Sequence, residues 1–183
     1  MRAIPNFAVI RPADGNEVRE AWKSLLVRKK PAGLFLSRQN LRTVDRTTHG
    51  AASGVDKGAY ILVEAPSKAE VVLIATGSEV SLAVKSAEAL NVEGISTRVV
   101  SAPCLEWFNE QPLSYRESVL PKSAKLRVSV EAGISQGWRE YVGDSGLIIS
   151  IDHFGASAGA TKLFTEFGFT VDRIVSDVQS ALN

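Results

Sequence analysis

The stretch Val71–Ala83, VVLIATGSEVSLA, constrains the fold of this chain more than any other. Its first five residues are apolar and rich in β-branched side chains. Such a run is too short for an isolated helix and is typical of a strand buried on both faces of a parallel sheet. Gly77 allows a sharp turn after the run, and Ser78 is expected to cap the helix that begins at Glu79. The stretch therefore predicts a strand, a tight turn and a helix, which is the first half of a βαβ crossover.

The sequence after this stretch predicts a continuation of the same sheet. Short apolar runs bounded by Gly and Pro indicate further strands at Gly58–Val63, Ile95–Ser101, Leu126–Val130 and Leu147–Ile151. Helical spacing of apolar residues indicates helices between them and a last amphipathic helix over Val171–Leu182. We expect an α/β domain with a mostly parallel sheet of four or five strands and helices on both faces.

Residues 7–37 predict a separate β-α-β unit. Asp14 and Glu17 have the spacing of a capping box, and Pro31 ends the helix that follows. Trp22 and Leu26 belong to the apolar stripe of this helix. One such unit cannot bury its helix and both faces of two strands. We therefore expect its partner strands to lie on other polypeptide, and Met1–Arg42 to be poorly ordered, cleaved or packed against another copy.

The charge of the chain is unevenly distributed. Residues 1–68 carry 12 Lys and Arg against 6 Asp and Glu, a net charge of +6, whereas residues 69–183 carry 9 against 14, a net charge of −5. The overall net charge of +1 argues against nucleic acid as an obligatory partner. The asymmetry indicates two units with different surroundings or, less often, a basic site for an anionic ligand.

The sequence also indicates the cellular compartment of the protein. Cys104 is the single cysteine, so no intramolecular disulfide is possible, and its thiol is expected to be buried and inert. No apolar run approaches the ~20 residues that a membrane span needs. Pro5 and Arg11 interrupt the opening residues where a signal peptide would be continuously apolar. We expect a cytoplasmic protein with no membrane partner.

Arg38 is the one candidate for ligand binding that position suggests. It belongs to the polar segment SRQN, residues 37–40, which follows the predicted strand Gly33–Ser37. Ligands of open parallel sheets bind beyond the carboxyl ends of the strands. The planar guanidinium of an arginine suits a phosphate or a carboxylate there. The alternative, which position alone favours, is a loop arginine paired with an acid or with water.

Other polar residues do not assemble into a catalytic set. Glu131, at the end of a predicted strand, is either a site acid or a hydrogen-bond acceptor at an interface. His49 is expected to be a solvated loop histidine. Asp152 and His153 are adjacent, so they would point to opposite faces of a strand, and a structural loop is favoured. Ser157 is expected to cap a helix over residues 158–167. The residues thus predict no catalytic side chain and no metal site.

Seven stretches resemble the C-terminal part of transketolase, in the same order and at compatible distances. They are RAIPNFAVIRPADGNEV (Arg2–Val18), LSRQNL (Leu36–Leu41), KGAYIL (Lys57–Leu62), IATGSEVSLAVKSAEAL (Ile74–Leu90), RVVSAP (Arg98–Pro103), SYRESVLP (Ser114–Pro121) and DHFGASAGATKLFTEFGFT (Asp152–Thr170). Together they cover nearly the whole chain. The combination is specific, whereas ATGSEV alone is shared with related thiamine-dependent enzymes.

The resemblance implies an enzyme that moves two-carbon ketol units between phosphorylated sugars. Transketolases use thiamine diphosphate and a divalent metal such as Mg or Ca, and are built from three domains. The resemblance implies that residues 1–42 are the end of the pyrimidine-binding domain, 43–57 a linker and 58–183 the C-terminal domain. It also implies that Arg38, in the SRQN motif, holds the sugar phosphate in the intact enzyme.

The chain departs from the family pattern in what it lacks. The diphosphate-binding domain, with its metal-binding motif, and the earlier part of the pyrimidine-binding domain are absent from the sequence. We therefore expect a C-terminal fragment that is inactive alone and binds no cofactor. Its partners would be the missing N-terminal domains and, in the intact enzyme, a second copy as a homodimer. The alternatives are the small subunit of a split transketolase-type enzyme and a stand-alone dimerisation or anion-binding module.

Overall fold

The structure is a computed structural model that describes residues 1–183. Seven strands and seven α-helices follow one another along the chain: β1 Ala8–Ile10, α1 Gly15–Arg28, β2 Ala32–Leu34, β3 Tyr60–Val63, β4 Val71–Ala75, α2 Glu79–Val92, β5 Thr97–Ser101, α3 Leu105–Asn109, α4 Leu113–Val119, β6 Leu126–Val130, α5 Arg139–Val142, β7 Leu147–Ile149, α6 Ala160–Glu166 and α7 Val171–Leu182. A short 3₁₀ helix, Ala52–Lys57, precedes β3. None of the helices combines the length and apolar character needed to cross a bilayer.

Five strands form the larger sheet, in the order β3-β5-β4-β6-β7. All neighbours are parallel except β3, which pairs antiparallel with β5 at one edge. The predicted α/β class with a mostly parallel sheet is confirmed. β4 lies at the centre, and all five of its residues are buried, as its unbroken apolar run predicts.

Helices cover both faces of this sheet. Leu73 of β4 faces a core that includes residues of α2 and α7, such as Leu90 and Ile174. Its neighbour Ile74 faces the opposite core, where residues of α3, α4 and α5 pack, such as Phe108. Alternate residues of one strand therefore contribute to two different cores, since side chains of a strand alternate between faces.

The predicted β-α-β unit forms β1, α1 and β2, with β1 and β2 paired in a separate parallel sheet. The expectation that this unit is poorly ordered is wrong for the structure, because Ile10 and Ala21 are fully buried in the same core as β4. The opposite side of α1 is not covered by any other part of the chain. Trp22 and Leu26 of its predicted stripe are 53% and 69% exposed.

The capping predictions have different outcomes. Asp14 caps α1 as predicted, with its side chain accepting a hydrogen bond from Glu17 N at 2.8 Å. Ser78 is not a cap, because its backbone is already helical and its hydroxyl donates to the Glu79 carboxylate at 2.6 Å. Ser157 is not a cap either, because α6 begins three residues later, with Gly159 at the cap position.

Candidate functional site

Arg38 lies in an exposed segment beyond β2. The strand ends at Leu34, not at Ser37 as predicted. The last hydrogen bond that joins this segment to β1 runs from Phe35 N to Ile10 O, at 2.8 Å. Arg38 takes part in none of the ion pairs of the structure. Its guanidinium is therefore available to an anion from solution.

Three buried polar residues meet at the carboxyl ends of β4 and β6. The two strands are neighbours in register, with Ala75 beside Val130, so the next residues, Thr76 and Glu131, also lie side by side. Thr76 donates its hydroxyl to Glu131 Oε1 at 3.0 Å. Glu79, from the first turn of α2, completes the group. Thr76 and Glu79 are 0% exposed and Glu131 is 2% exposed.

Arg11, which directly follows β1, joins these three residues. Its Nη1 contacts Glu131 Oε1 at 2.7 Å and Thr76 Oγ1 at 2.5 Å, and its Nη2 contacts Glu79 Oε2 at 3.0 Å. The Arg11 backbone is fixed as well, because its N–H donates to Pro103 O at 2.8 Å and its carbonyl accepts from Gly77 N at 2.9 Å. The arginine thus links the smaller sheet to the centre of the larger one.

Glu131 has two further partners. Arg2 Nη1 contacts both of its carboxylate oxygens, at 2.7 and 2.6 Å, and the Trp138 indole donates to Oε2 at 2.8 Å. Burial opposes ionisation of Glu131, but the charges and hydrogen bonds of Arg2 and Arg11 outweigh it and hold the pKa of Glu131 below its ordinary value. Of the two roles left open by the sequence, the structure gives Glu131 that of an interface acceptor.

Beside this group, a cleft of about 480 Å³ opens between the β1-α1-β2 unit and the larger sheet. Arg2, Arg11 and Glu131 line it together with Phe35 and Ile134. The chain leaves β4 towards β5 on one side of the sheet and later adds β6 on the other side. The carboxyl end of β4 is therefore a topological switch point, the usual ligand crevice of an open α/β sheet.

A second buried polar group lies between α1 and the edge of the larger sheet. Glu17, fully buried, accepts from Tyr60 Oη and from Ser101 Oγ, both at 2.6 Å. Arg46 pairs with Asp14 at 2.9 Å and donates to Tyr60 Oη at 2.8 Å. Burial raises the pKa of Glu17 above its ordinary value, although the hydrogen bonds from Ser101 and Tyr60 oppose the shift. This group is a structural tie between the two sheets.

The remaining candidate residues have structural roles. Cys104 is fully buried, as predicted, and burial raises the pKa of its thiol, which supports the prediction that it is inert. His49 Nδ1 lies 3.0 Å from Asp45 O within its loop. Asp152 accepts from Ser135 N at 2.7 Å, while the His153 ring packs edge-on against Phe167. The last two residues therefore form no acid–base couple.

The pairing of Arg11 with Glu79 was not predicted from the sequence. The sequence indicated Glu79 only as the first residue of a helix and Arg11 only as an interruption of an apolar stretch. One indication was available in the sequence: charged residues follow closely after three apolar strands, Arg11 after β1, Glu79 after β4 and Glu131 after β6. In parallel sheets such residues gather at one edge. Whether Arg11 pairs with Glu79 depends on how the two sheets dock, and the residues near each of them in sequence do not determine this docking.

Two family models match the chain. Residues 58–170 match the transketolase-like C-terminal domain, and residues 1–44 match the pyrimidine-binding domain of transketolase. The first match covers more than half of the 183 residues. The stretches quoted in the sequence analysis fall almost entirely within these two ranges.

Curated relatives match over nearly the full chain. A transketolase from Aquifex aeolicus is 47% identical over 179 residues, which are 97% of this chain and 26% of the relative. One from Halalkalibacterium halodurans is 48% identical over 183 residues, which are 100% of this chain and 28% of the relative. The chain thus spans about a quarter of the length of the curated relatives it matches.

Solved structures have the same fold. A transketolase from Leishmania mexicana has a TM-score of 0.89 and 42% identity, over 98% of this chain and 26% of that one. A structure described as a split gene transketolase, inactive beta4 tetramer, has a TM-score of 0.80 over 100% of this chain and 60% of that one. Its identity is 22%, so this second likeness concerns the fold alone.

Proposed function

The chain belongs to the transketolase family, and on this premise we propose that it is the C-terminal portion of an enzyme that transfers two-carbon ketol units between sugar phosphates. The observation that carries the proposal is the exposed, ion-pair-free Arg38 in the SRQN segment beyond β2. In such an enzyme thiamine diphosphate supplies the electron sink for the ketol carbanion, and the protein supplies binding and placement.

The proposed role of Arg38 is to bind the phosphate of the sugar. A guanidinium presents parallel N–H donors that match two phosphate oxygens, and it stays charged at every physiological pH. Because no carboxylate pairs with Arg38 in the structure, binding an anion would break no existing ion pair. The position, at the carboxyl end of a parallel strand, is where α/β sheets present their ligand-binding side chains.

The chain's own residues do not fit the cofactor's metal. No group of three or more His, Cys, Asp or Glu side chains lies close enough together to hold an ion, and a diphosphate-bound Mg²⁺ depends on such oxygen ligands. We therefore assign thiamine diphosphate and its metal to the other domains of the enzyme. In the proposed enzyme, residues 1–183 contribute the binding of the substrate phosphate and no other step.

The proposed division of the chain is residues 1–42 as the end of the pyrimidine-binding domain, 43–57 as linker and 58–183 as the C-terminal domain. The uncovered apolar residues Trp22 and Leu26 support this division, since a complete pyrimidine-binding domain would add strands and helices beside β2 and α1. The proposed partners are those N-terminal domains and a second copy of the enzyme, as a homodimer.

A chimaera tests the proposal. The matching C-terminal part of the Halalkalibacterium halodurans transketolase is replaced by this chain, and ketol transfer is measured with thiamine diphosphate and Mg²⁺. We expect the chimaera to be active and this chain alone to be inactive. A chimaera that folds as a dimer without transferring ketol units would contradict the proposal, as would turnover by the chain alone.

Two variants of the chimaera test Arg38. In Arg38→Ala we expect the KM for sugar phosphates to rise roughly 10- to 100-fold, because charge-assisted hydrogen bonds to phosphate are lost. The kcat should change little. Arg42→Ala is the matched control, since Arg42 is exposed in the same segment. Equal KM values for the two variants would show that Arg38 does not bind the phosphate.

Mixing the chain with separately expressed N-terminal domains tests the alternative of a split enzyme. Restored ketol transfer in the mixture would support a split enzyme over a single polypeptide.

A further inference from the structure

The switch point of the larger sheet has the composition of a cation site. Glu79 and Glu131 place two carboxylates there, both almost completely buried, and Thr76 adds a hydroxyl. Isolated buried charges are costly, so each of these carboxylates needs a cationic partner. Within the larger sheet and its helices nothing supplies one. The two cations present, Arg11 and Arg2, both come from the start of the chain.

Glu79 depends on Arg11 alone. Its Oε1 accepts from Ser78 Oγ, but its Oε2 has no partner other than the Arg11 guanidinium. Glu131 also pairs with Arg2, so it retains one cation if Arg11 is lost. The turn leaves space for the guanidinium. A Cβ added to Gly77 would lie 3.4 Å from the Cζ and Nη2 atoms of Arg11.

The geometry also selects the kind of cation. The two carboxylates are contacted by different nitrogens of one planar group, Nη1 for Glu131 and Nη2 for Glu79. An ammonium is a single point charge and cannot place two nitrogens in this way, whereas a guanidinium does so by its shape. Nη1 donates hydrogen bonds to Glu131 and Thr76, and Nη2 adds an ion pair to Glu79, so the site matches the spread charge of a planar guanidinium better than a compact cation.

We propose that the ligand crevice of the larger sheet is a guanidinium-binding site, formed by Thr76, Glu79 and Glu131, whose resident ligand is the side chain of Arg11. The crevice that other α/β sheets use for a diffusible ligand is used here for docking. A guanidinium from the preceding unit enters it and fixes the end of β1 on the larger sheet.

The consequence for function concerns Arg38, and this step rests on the proposed function. Phe35 N pairs with Ile10 O, so the end of β2 is held by the residue that precedes Arg11. Arg38 follows three residues later. Arg11 is therefore a positioning residue, which sets where the segment bearing Arg38 leaves the sheet.

Chemical rescue tests the guanidinium site in this chain without any assay of catalysis. Arg11→Ala removes the guanidinium and leaves the crevice open to the adjoining cleft, which Arg11 also lines. We expect the Tm to fall by roughly 10 °C, because a buried ion pair loses one partner. Millimolar methylguanidinium should restore at least half of the loss. Millimolar methylammonium, with the same charge but no planar fork, should restore much less.

Two further variants serve as controls. Arg28 contacts the same domain, with its guanidinium 4.5 Å from the Trp107 ring and paired with Glu110, but it lies outside the crevice. Arg28→Ala should not be rescued by methylguanidinium. The double variant Arg11→Ala/Glu79→Gln should lose the rescue, and it also provides a second protein if Arg11→Ala folds poorly. Equal rescue by the two cations, or rescue of Arg28→Ala, would overturn the proposal.

The positioning role is tested separately in the chimaera. Arg11→Ala should raise the KM for sugar phosphates with little change in kcat, and methylguanidinium should lower the KM again. Rescue of Tm without any effect on KM would leave the guanidinium site established and remove the link to Arg38. An inactive chimaera combined with rescue in this chain would contradict the proposed function alone.

Discussion

Glu131 and Glu17 are both buried carboxylates, but their surroundings shift their pKa values in opposite directions. Two guanidinium groups face Glu131, and they outweigh the cost of burial and lower its pKa. Glu17 is contacted by the hydroxyls of Tyr60 and Ser101, which do not outweigh burial, and its pKa is raised. The two residues should therefore contribute to stability with opposite dependence on pH.

Glu131→Gln is expected to destabilise the chain by roughly 3 kcal/mol at neutral pH, because it leaves two partly buried guanidinium groups short of a counter-charge. The folded-state pKa is lowered, so the stabilisation by ionised Glu131 is fully present above the unfolded-state pKa. It is lost as the pH falls through the folded-state value. The difference between the parent chain and the variant, measured by urea unfolding, should shrink below pH 4.5. Glu117→Gln, in an exposed pair with Lys122, is the control and should change little at any pH.

Glu17→Gln is expected to show the reverse trend. Because the folded-state pKa of Glu17 is raised, the folded chain binds a proton more tightly than the unfolded chain does. Its stabilisation is fully present below pH 4.5 and is lost as the pH rises through the folded-state pKa. The variant should lose about 1 to 2 kcal/mol at low pH, from imperfect hydrogen bonding of the amide, and less at higher pH. A loss that grows with pH in urea unfolding would show that Glu17 is stabilised as the anion.

At the level of the elements, the turn into β3 depends on Gly58. Its φ is +83°, and a Cβ there would lie 2.2 Å from Phe108 N and 2.3 Å from Cys104 O. Both atoms are backbone and cannot move aside easily. Cys104 N also donates to Gly58 O at 2.9 Å, so this close approach joins the start of β3 to α3.

A pair of glycine variants separates the two costs of a side chain at such positions. Gly94, after α2, has a φ of +84°, but no atom lies within 4 Å of a Cβ added there. Gly94→Ala should cost about 1 kcal/mol from backbone strain alone. Gly58→Ala should cost that and at least about 2 kcal/mol more from the clash. Thermal unfolding of the two variants measures the difference, and equal losses would show that the contact at Gly58 relaxes freely.

The sequence predicts those elements whose cause is local. The apolar run of β4, the helical spacing of α2 and the cap at Asp14 are read from neighbouring residues, and all three are confirmed. The caps at Ser78 and Ser157 are wrong because a competing local geometry prevails, in one case a hydroxyl that turns to Glu79. Arg38 was named from its place after a strand, and its role as a phosphate ligand stays a prediction. The pairing of Arg11 with Glu79 was not predicted, because these residues are 68 positions apart in sequence and meet only when the two sheets dock.

At the level of the whole molecule, two sheets share one core. Residues of the β1-α1-β2 unit, among them Ile10 and Ala21, belong to the same buried cluster as Leu73 of β4 and Ile174 of α7. The polar groups around Glu131 and Glu17 both join the β1-α1-β2 unit to the larger sheet, near the N-terminal end of α1. A unit tied in this way has no core of its own, so it should not unfold separately.

We therefore expect the chain to unfold in a single cooperative transition. Amide hydrogen exchange in β1 should be protected to nearly the same free energy as in β4. Ile10→Ala, which empties a fully buried site, should cost roughly 2 to 4 kcal/mol and lower the protection of both strands together. Leu26→Ser, on the uncovered side of α1, is the control and should change stability by less than about 0.5 kcal/mol. If Ile10→Ala instead released β1 while β4 kept its protection, the unit would be an appendage that the larger sheet does not need, and the shared core would carry no coupling between them.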